Sequence, residues 1–550
     1  MPTLPHLVVA PVVLPLVAAM LMLLLGSRRR VLASVINAAA ALLGLGVAAA
    51  ILWQVDAGGD RGATAVYLAS NWEAPFGIVL VADRLSALLL VLTGTVAFSA
   101  ALYAMSAWGR AGVYFHPLFQ LLLMGLNGAF LTGDLFNLFV FFEVALAASY
   151  GLHLHGSGTA RVKSGLHYIA VNLVASSLFL IGIAVVYGIT GTLTMADIAA
   201  TVPQVADADR GLLHAGAALL ATAFLIKAAM WPVNFWLVPT YQAASAPVAA
   251  LFALMTRLGV YTLLRLWTLC FSAEAGASAR LGADLFVVGG LATLLFGTIG
   301  MIADRPLARV AGFSILVSSG TLLAALGLGS EAALSAALYY LLSATVAASA
   351  LFLLVEQIER MASGGSARLA ELDPEPDEDT NLDDAEMPLV GRRLPIPLAL
   401  LGLGFMICAV LVAGLPPLSG FVAKLALLSA VMRPIVDGGP TTAPAAGWLL
   451  FAALLLSGLV ALVVMAKAGI RHFWTSSAPP LPPVKFVEAL PILLLMLAGV
   501  GLTLRAEDVL RYAGATAREL ATPAAYVEAV FSADPRPGPT RPAGRAEAAP

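Results

Sequence analysis

Apolar residues in this chain come in blocks of about twenty, separated by short polar clusters. A block of that length crosses a hydrocarbon core of roughly 30 Å as an α-helix. Such windows predict about fourteen spans, near 7–25, 31–53, 81–106, 115–132, 135–153, 164–188, 214–238, 245–267, 283–302, 307–327, 332–355, 395–432, 446–469 and 488–504. The predicted fold class is therefore an all-α polytopic membrane protein.

Charge between the blocks orients the bundle. Arg28, Arg29 and Arg30 follow the first span and no Lys or Arg precedes it, the reverse of a signal peptide's charge order. That span is expected to be an uncleaved helix running from outside to inside. Loops that fourteen spans then assign to the inside hold fifteen Lys or Arg residues, and those assigned to the outside hold six. This asymmetry follows the positive-inside rule and supports both the count and the orientation.

Composition agrees, with 60% of the 550 residues hydrophobic, 11% charged and a mean hydropathy of +0.92. A net charge of -2, with no basic stripe or aromatic-basic platform, excludes a nucleic-acid partner. Cys270 and Cys408, far apart in apolar surroundings, read as small core residues. Residues 360–393 include ELDPEPDEDTNLDDAE and read as a solvated cytoplasmic linker; a calcium loop is the alternative, disfavoured because prolines interrupt the spacing and the EF-hand glycine is missing. The Pro/Ala/Gly/Arg-rich tail after about residue 530 is expected to be disordered.

The candidate chemistry is carried by ionisable groups inside the spans, which rarely persist at depth unless they serve a pathway or a partner. Lys227 has no other charge for sixteen residues before it, and Pro232 breaks its helix five residues later. Lys424 follows Pro417 by seven residues. Glu143 lies nine residues after Asp134, so if Asp134 marks a helix end the glutamate is about 13 Å deeper. A buried carboxylate and a buried lysine respond in opposite senses to desolvation and to each other, which makes a switchable proton site. Arg257 stays protonated and reads as an electrostatic partner, and Asp134 as an interfacial group able to line a proton exit. The His153/His155 pair reads as a solvated inner helix end, and His214 as a cap at the outer end of its span. Packing by inert ion pairs is the alternative reading of all the buried charges. The chain contains no cofactor motif and no metal-ligand set.

Two proline-broken helices, each with one lysine and about two hundred residues apart, also suggest an internal repeat. FLIKAAMWPVNFWL, GLPPLSGFVAKLALL, NGAFLTGDLFNLFVFFE and ALYYLLSATVAASALFLLVEQIE, across residues 127–430, resemble the antiporter-like subunits shared by complex I and the Mrp multisubunit cation/proton antiporters. The nearest resemblance within them is to the D subunits of the Mrp antiporters. It implies a fourteen-helix subunit of the bacterial plasma membrane, with both termini outside and two inverted five-helix repeats broken at helices 7 and 12.

Helices 1–3 would occupy residues 1–110, the first repeat 111–270, the second repeat 280–470 with the acidic linker inside it, and helix 14 with the tail 485–550. By resemblance Glu143, Lys227 and Lys424 would transfer protons. Arg257 stands where the family usually has Lys or His, and Ser343 where it often has His. A relay between the halves would then rest on water and hydroxyls such as Ser343 and Thr345. The expected function is a proton-translocating subunit of an Na+/H+ antiporter, not an enzyme, with other hydrophobic subunits, the bilayer, protons and Na+ as partners. A proton-pumping membrane-arm subunit of complex I or a membrane-bound hydrogenase is the rival.

Overall fold

The computed structural model describes residues 5–26, 28–58, 64–106, 114–303, 306–372, 396–436, 444–474 and 485–535, with only the backbone of 5, 361–372, 396–397 and 474. The acidic linker, apart from that backbone and Arg360, and the tail beyond 535 lie outside the described residues.

The chain is a helical bundle. In order it runs α1 (Ala10–Leu25), α2 (Arg30–Asp56), a hairpin of β1 (Ala65–Leu68) and β2 (Val79–Ala82), α3 (Arg84–Ala104), α4 (Phe115–Leu131), α5 (Leu135–Leu154), α6 (Thr159–Thr190), α7 (Met195–Thr201), α8 (Asp207–Lys227), α9 (Leu237–Ala243) and α10 (Ala246–Cys270). It continues through α11 (Ala283–Ile302), α12 (Leu307–Leu328), α13 (Glu331–Leu372), α14 (Ile396–Ala413), α15 (Ser419–Val436), α16 (Pro444–Gly469), α17 (Phe486–Leu504), α18 (Ala506–Ala521) and α19 (Pro523–Phe531). Among the described residues, twelve helices are long and apolar enough to cross a membrane, and three shorter apolar ones lie among them. The predicted span at 214–238 is α8 with an unwound end leading to α9, and that at 395–432 is α14 and α15 joined by a short turn.

Burial ranks the helices. The membrane-spanning window of α10 is wholly buried, and those of α12 and α13 nearly so, so these three form the centre while α2, α15, α16 and α17 expose more apolar surface. A helix that is apolar all round belongs in such a position. Capping fixes where helices begin: Asp83 and Ser86 make a reciprocal capping box at the start of α3.

Along the α11–α12 seam the backbones touch. A Cβ on Gly290 would lie 2.4 Å from the Ala324 nitrogen, and one on Gly320 2.4 Å from the Leu294 nitrogen. Small residues at such a contact let helices approach closely in a bilayer, where packing rather than water drives association.

Two helices that hydropathy windows do not capture close one end of the bundle. In α18, Ala513, Ala517 and Leu520 are buried while Arg505, Arg511 and Arg518 beside or on it are exposed. It packs on α13, α10 and α3. Arg84 at the start of α3 donates to Glu519 at 2.7 Å, and Arg265 on α10 pairs with Asp83 at 2.6 Å. The Arg265 guanidinium also lies 5.2 Å from the Tyr526 ring centre of α19.

Candidate functional site

Helix α8 ends at Lys227 because the chain unwinds toward Pro232 before α9 starts. Its freed backbone groups are satisfied: Ser319 donates to the Ala228 carbonyl, Trp236 to that of Ile226, and Thr293 accepts from the Trp231 N–H. Unwound backbone at membrane depth requires such partners. Helix α10 passes so close that a Cβ on Gly259 would lie 2.7 Å from the Ala228 nitrogen.

Lys227 is 4% exposed, and its Nζ has no hydrogen-bond partner among the described residues. It lies 4.9 Å from the centre of the Phe142 ring, a cation–π contact that stabilises an ammonium without tying it to an acceptor. Glu143 follows Phe142 on α5, is half-buried, and accepts a hydrogen bond from Ser176 of α6. The structure therefore brings Glu143 and Lys227 to neighbouring positions around α5, but as separate groups rather than a hydrogen-bonded pair.

Arg257 on α10 is fully buried. Its Nε donates to Thr345 Oγ1 at 3.0 Å and its Nη2 to Ser318. Ser318 also lines a cavity of about 30 Å³ shared with Tyr340, Ser343, Ser457 and Lys424. By volume that is room for about two water molecules, and the wall carries enough hydroxyls to bind them. Ser343 is 2.9 Å from Ser419, the first residue of α15. Lys424, half-buried on α15, donates from Nζ to the Ala413 carbonyl at 2.8 Å, at the broken end of α14.

Ser343, Thr345, Arg257 and Lys424 thus lie in one region. Four further serines stand beside these groups: Ser176 against Glu143, Ser318 against Arg257, Ser419 against Ser343, and Ser457 in the cavity wall with Lys424. Their signal is present in the chain, as hydroxyls on otherwise apolar helices.

Asp134 stands apart as the N-cap of α5, accepting from the Asn137 N–H at 2.7 Å. Burial raises its carboxyl above the usual range, against the lowering effect of its capping hydrogen bonds. His153 differs from expectation: instead of a solvated end it is 1% exposed, with Nε2 3.0 Å from Ser164 and its ring stacked on Phe252 at 6.1 Å. The apolar face of α10 covers that end of α5, which charge placement alone does not reveal. His214 bonds Ser278 at 3.0 Å across the opposite end.

A family model described as "NADH:quinone oxidoreductase/Mrp antiporter, TM" matches residues 132–437. The chain is 48% identical over 536 residues to the D subunit of a "Probable K(+)/H(+) antiporter" of Rhizobium meliloti (strain 1021), covering 97% of this chain and 98% of that one. It is 33% identical over 467 residues to the D subunit of an "Na(+)/H(+) antiporter" of Alkalihalophilus pseudofirmus, with 84% and 87% covered. Among solved structures it resembles a chain of the Mrp complex from Dietzia sp. DQ12-45-1b, with a TM-score of 0.79, 27% identity, and 96% and 100% covered. A chain of respiratory complex I from Thermus thermophilus shares the fold, with a TM-score of 0.70, 22% identity, and 93% and 99% covered.

Proposed function

Because this chain belongs to the family of Mrp antiporter D subunits, within the wider NADH:quinone oxidoreductase/Mrp antiporter family, we propose that it moves protons through Glu143, Lys227 and Lys424 inside a multisubunit cation/proton antiporter. The complex sits in a bacterial plasma membrane, with both chain termini outside. The observation that carries the reading is the buried ammonium of Lys227, held by a ring face rather than by an acceptor. A group so placed can exchange its proton without first breaking a salt bridge.

Between Lys227 and Lys424, Arg257 stays charged and shapes the field, while protons pass by water and hydroxyls. The cavity lined by Ser318, Ser343 and Ser457 supports this arrangement. Opposite charges about 4 Å apart at an effective dielectric near 20 interact by about 4 kcal/mol. A membrane potential of 100 mV supplies about 2.3 kcal/mol per charge. The two are of one order, so re-pairing of charges can be coupled to ion movement elsewhere in the complex.

The exchanged ion is a monovalent cation. The relative at 48% identity is named for K+ and that at 33% for Na+, so K+ joins Na+ as a substrate to be tested. The test is cation-driven proton movement in membrane vesicles containing the whole complex, with K+ and Na+ compared. Glu143→Gln or Lys227→Ala should abolish exchange while the complex still assembles. Full exchange in either variant sinks the reading.

A further inference from the structure

Between α2, α3, α13, α17 and α18 lies a crevice of about 730 Å³, within the size range of sites that take a single small ligand. Its walls are apolar: Leu88 and Leu92 of α3, Leu342 and Val346 of α13, and Leu502 of α17. Along α3 it runs from Arg84 to Thr95, eleven residues, or about 16 Å of helix. That is about half of a roughly 30 Å hydrocarbon core, the depth of one leaflet.

The mouth has a different chemistry. Arg84, Arg505, Arg511 and Arg518 stand there with Asp56 and Asp508, and Glu519 pairs with Arg84, which leaves a net charge of +1 with all three carboxylates ionised. Asp508 is shared by Arg505 at 3.0 Å and Arg511 at 2.6 Å. Arg518 is exposed and makes no ion pair among the described residues. Tyr512, a residue type favoured at the headgroup level, also lines the mouth. Helix α18, charged on one face and apolar on the other, forms the roof, as an amphipathic helix lying in the plane of the interface would.

We propose that this crevice is a binding site for an anionic phospholipid, with the phosphate at the Arg505, Arg511 and Arg518 rim and an acyl chain between α3 and α13. The excess of positive charge at headgroup depth, above an apolar slot one leaflet deep, matches both ends of such a molecule. The crevice shares no lining residue with the cavity beside Lys424 and does not include Lys227, so Lys227→Ala should retain the lipid.

The test is native mass spectrometry of the intact antiporter complex in mild detergent. The wild type should retain one anionic phospholipid that the double variant Arg511→Gln/Arg518→Gln loses at least tenfold. Thr95→Trp, which fills the slot and leaves the rim intact, should lose it as well. Phosphatidylethanolamine should not replace the retained lipid, and millimolar inorganic phosphate should not displace it. A photoreactive residue in place of Val509 should label lipid. Undiminished retention in both variants, full displacement by free phosphate, or labelling of a neighbouring protein instead of lipid would each overturn the proposal.

Discussion

Lys227 is the last residue of the helix before its break, whereas Lys424 lies in the helix after its break. Both ammonium groups nevertheless stand at the carbonyl end of an interrupted helix, because Lys424 reaches back to Ala413 of α14. The last carbonyls of a helix lack internal partners and carry partial negative charge, which favours a cation there. The breaks therefore serve the same electrostatic end from opposite sides. The difference is in how each lysine is held: Lys424 is tied to a carbonyl beside a hydroxyl-lined cavity, and Lys227 rests on an aromatic face with Glu143 nearby.

The largest effect that separates the two sites should come from charge-preserving substitutions. Lys227→Arg should abolish exchange, since arginine does not release its proton. Lys424→Arg should do the same if both lysines titrate. Retained exchange in Lys424→Arg, measured in vesicles, would reassign that lysine to holding the break.

Stability should move in opposite directions at the two sites. Lys424→Ala removes a hydrogen bond from a charged donor, worth about 1.5–3 kcal/mol, and leaves the Ala413 carbonyl without it. Lys227→Ala removes a desolvated charge that has no acceptor among the described residues. Thermal unfolding of the complex should therefore shift down for the first variant and stay level or rise for the second. A lower melting temperature for Lys227→Ala would show that the ring contact holds the bundle more strongly than burial of the charge strains it.

The cavity beside Lys424 offers a smaller contrast. Ser343→Ala removes its contact with Ser419 and one wall hydroxyl at little change in volume, and should slow exchange by about threefold to tenfold on the scale of one lost hydrogen bond. Ser176→Ala removes the hydrogen bond that Glu143 accepts and should slow exchange more than the Ser343 variant, because it acts on a proposed proton carrier directly. Equal rates in the two variants would erase the distinction drawn between the halves.

The closed end of the bundle supplies the reference that should follow neither lysine. Burial raises the carboxyl of Glu519 to about 7, against the opposing pull of Arg84, while the nearby Asp83 adds to the rise and Arg265 weakly opposes it. Its folded value lies above the unfolded one, so its contribution to stability is complete below about pH 4.5 and is lost as pH rises through about 7. Hydrogen exchange in 506–531, corrected for intrinsic rates, should quicken between pH 6 and 8 and lose that dependence in Glu519→Gln. An unchanged pH dependence in that variant would place the titrating group elsewhere.

Much of this architecture is legible in the chain because hydropathy reports span length directly. Pro232 and Pro417 mark both breaks, and the isolated charges mark Glu143, Lys227, Arg257 and Lys424. What stays hidden depends on contacts between distant segments. Ser176, 33 residues from Glu143, and Ser318, 61 from Arg257, become partners only when helices pack. His153 reads as solvated because two basic residues follow it, whereas α10 covers it. Helix α18 escapes because its apolar stripe is Ala-rich and short, too weak for a window tuned to bilayer thickness.

The glycine seam between α11 and α12 has a mechanical consequence. With backbones so close that one added methyl finds no room at Gly290 or Gly320, the pair behaves as a stator: it cannot slide or roll without losing contact along its length. Ser318 and Ser319 ride on it, one holding Arg257 and the other the break after Lys227. Any working stroke must then be taken up by the hinged parts that bear on this fixed wall, the ends of α8 and α14.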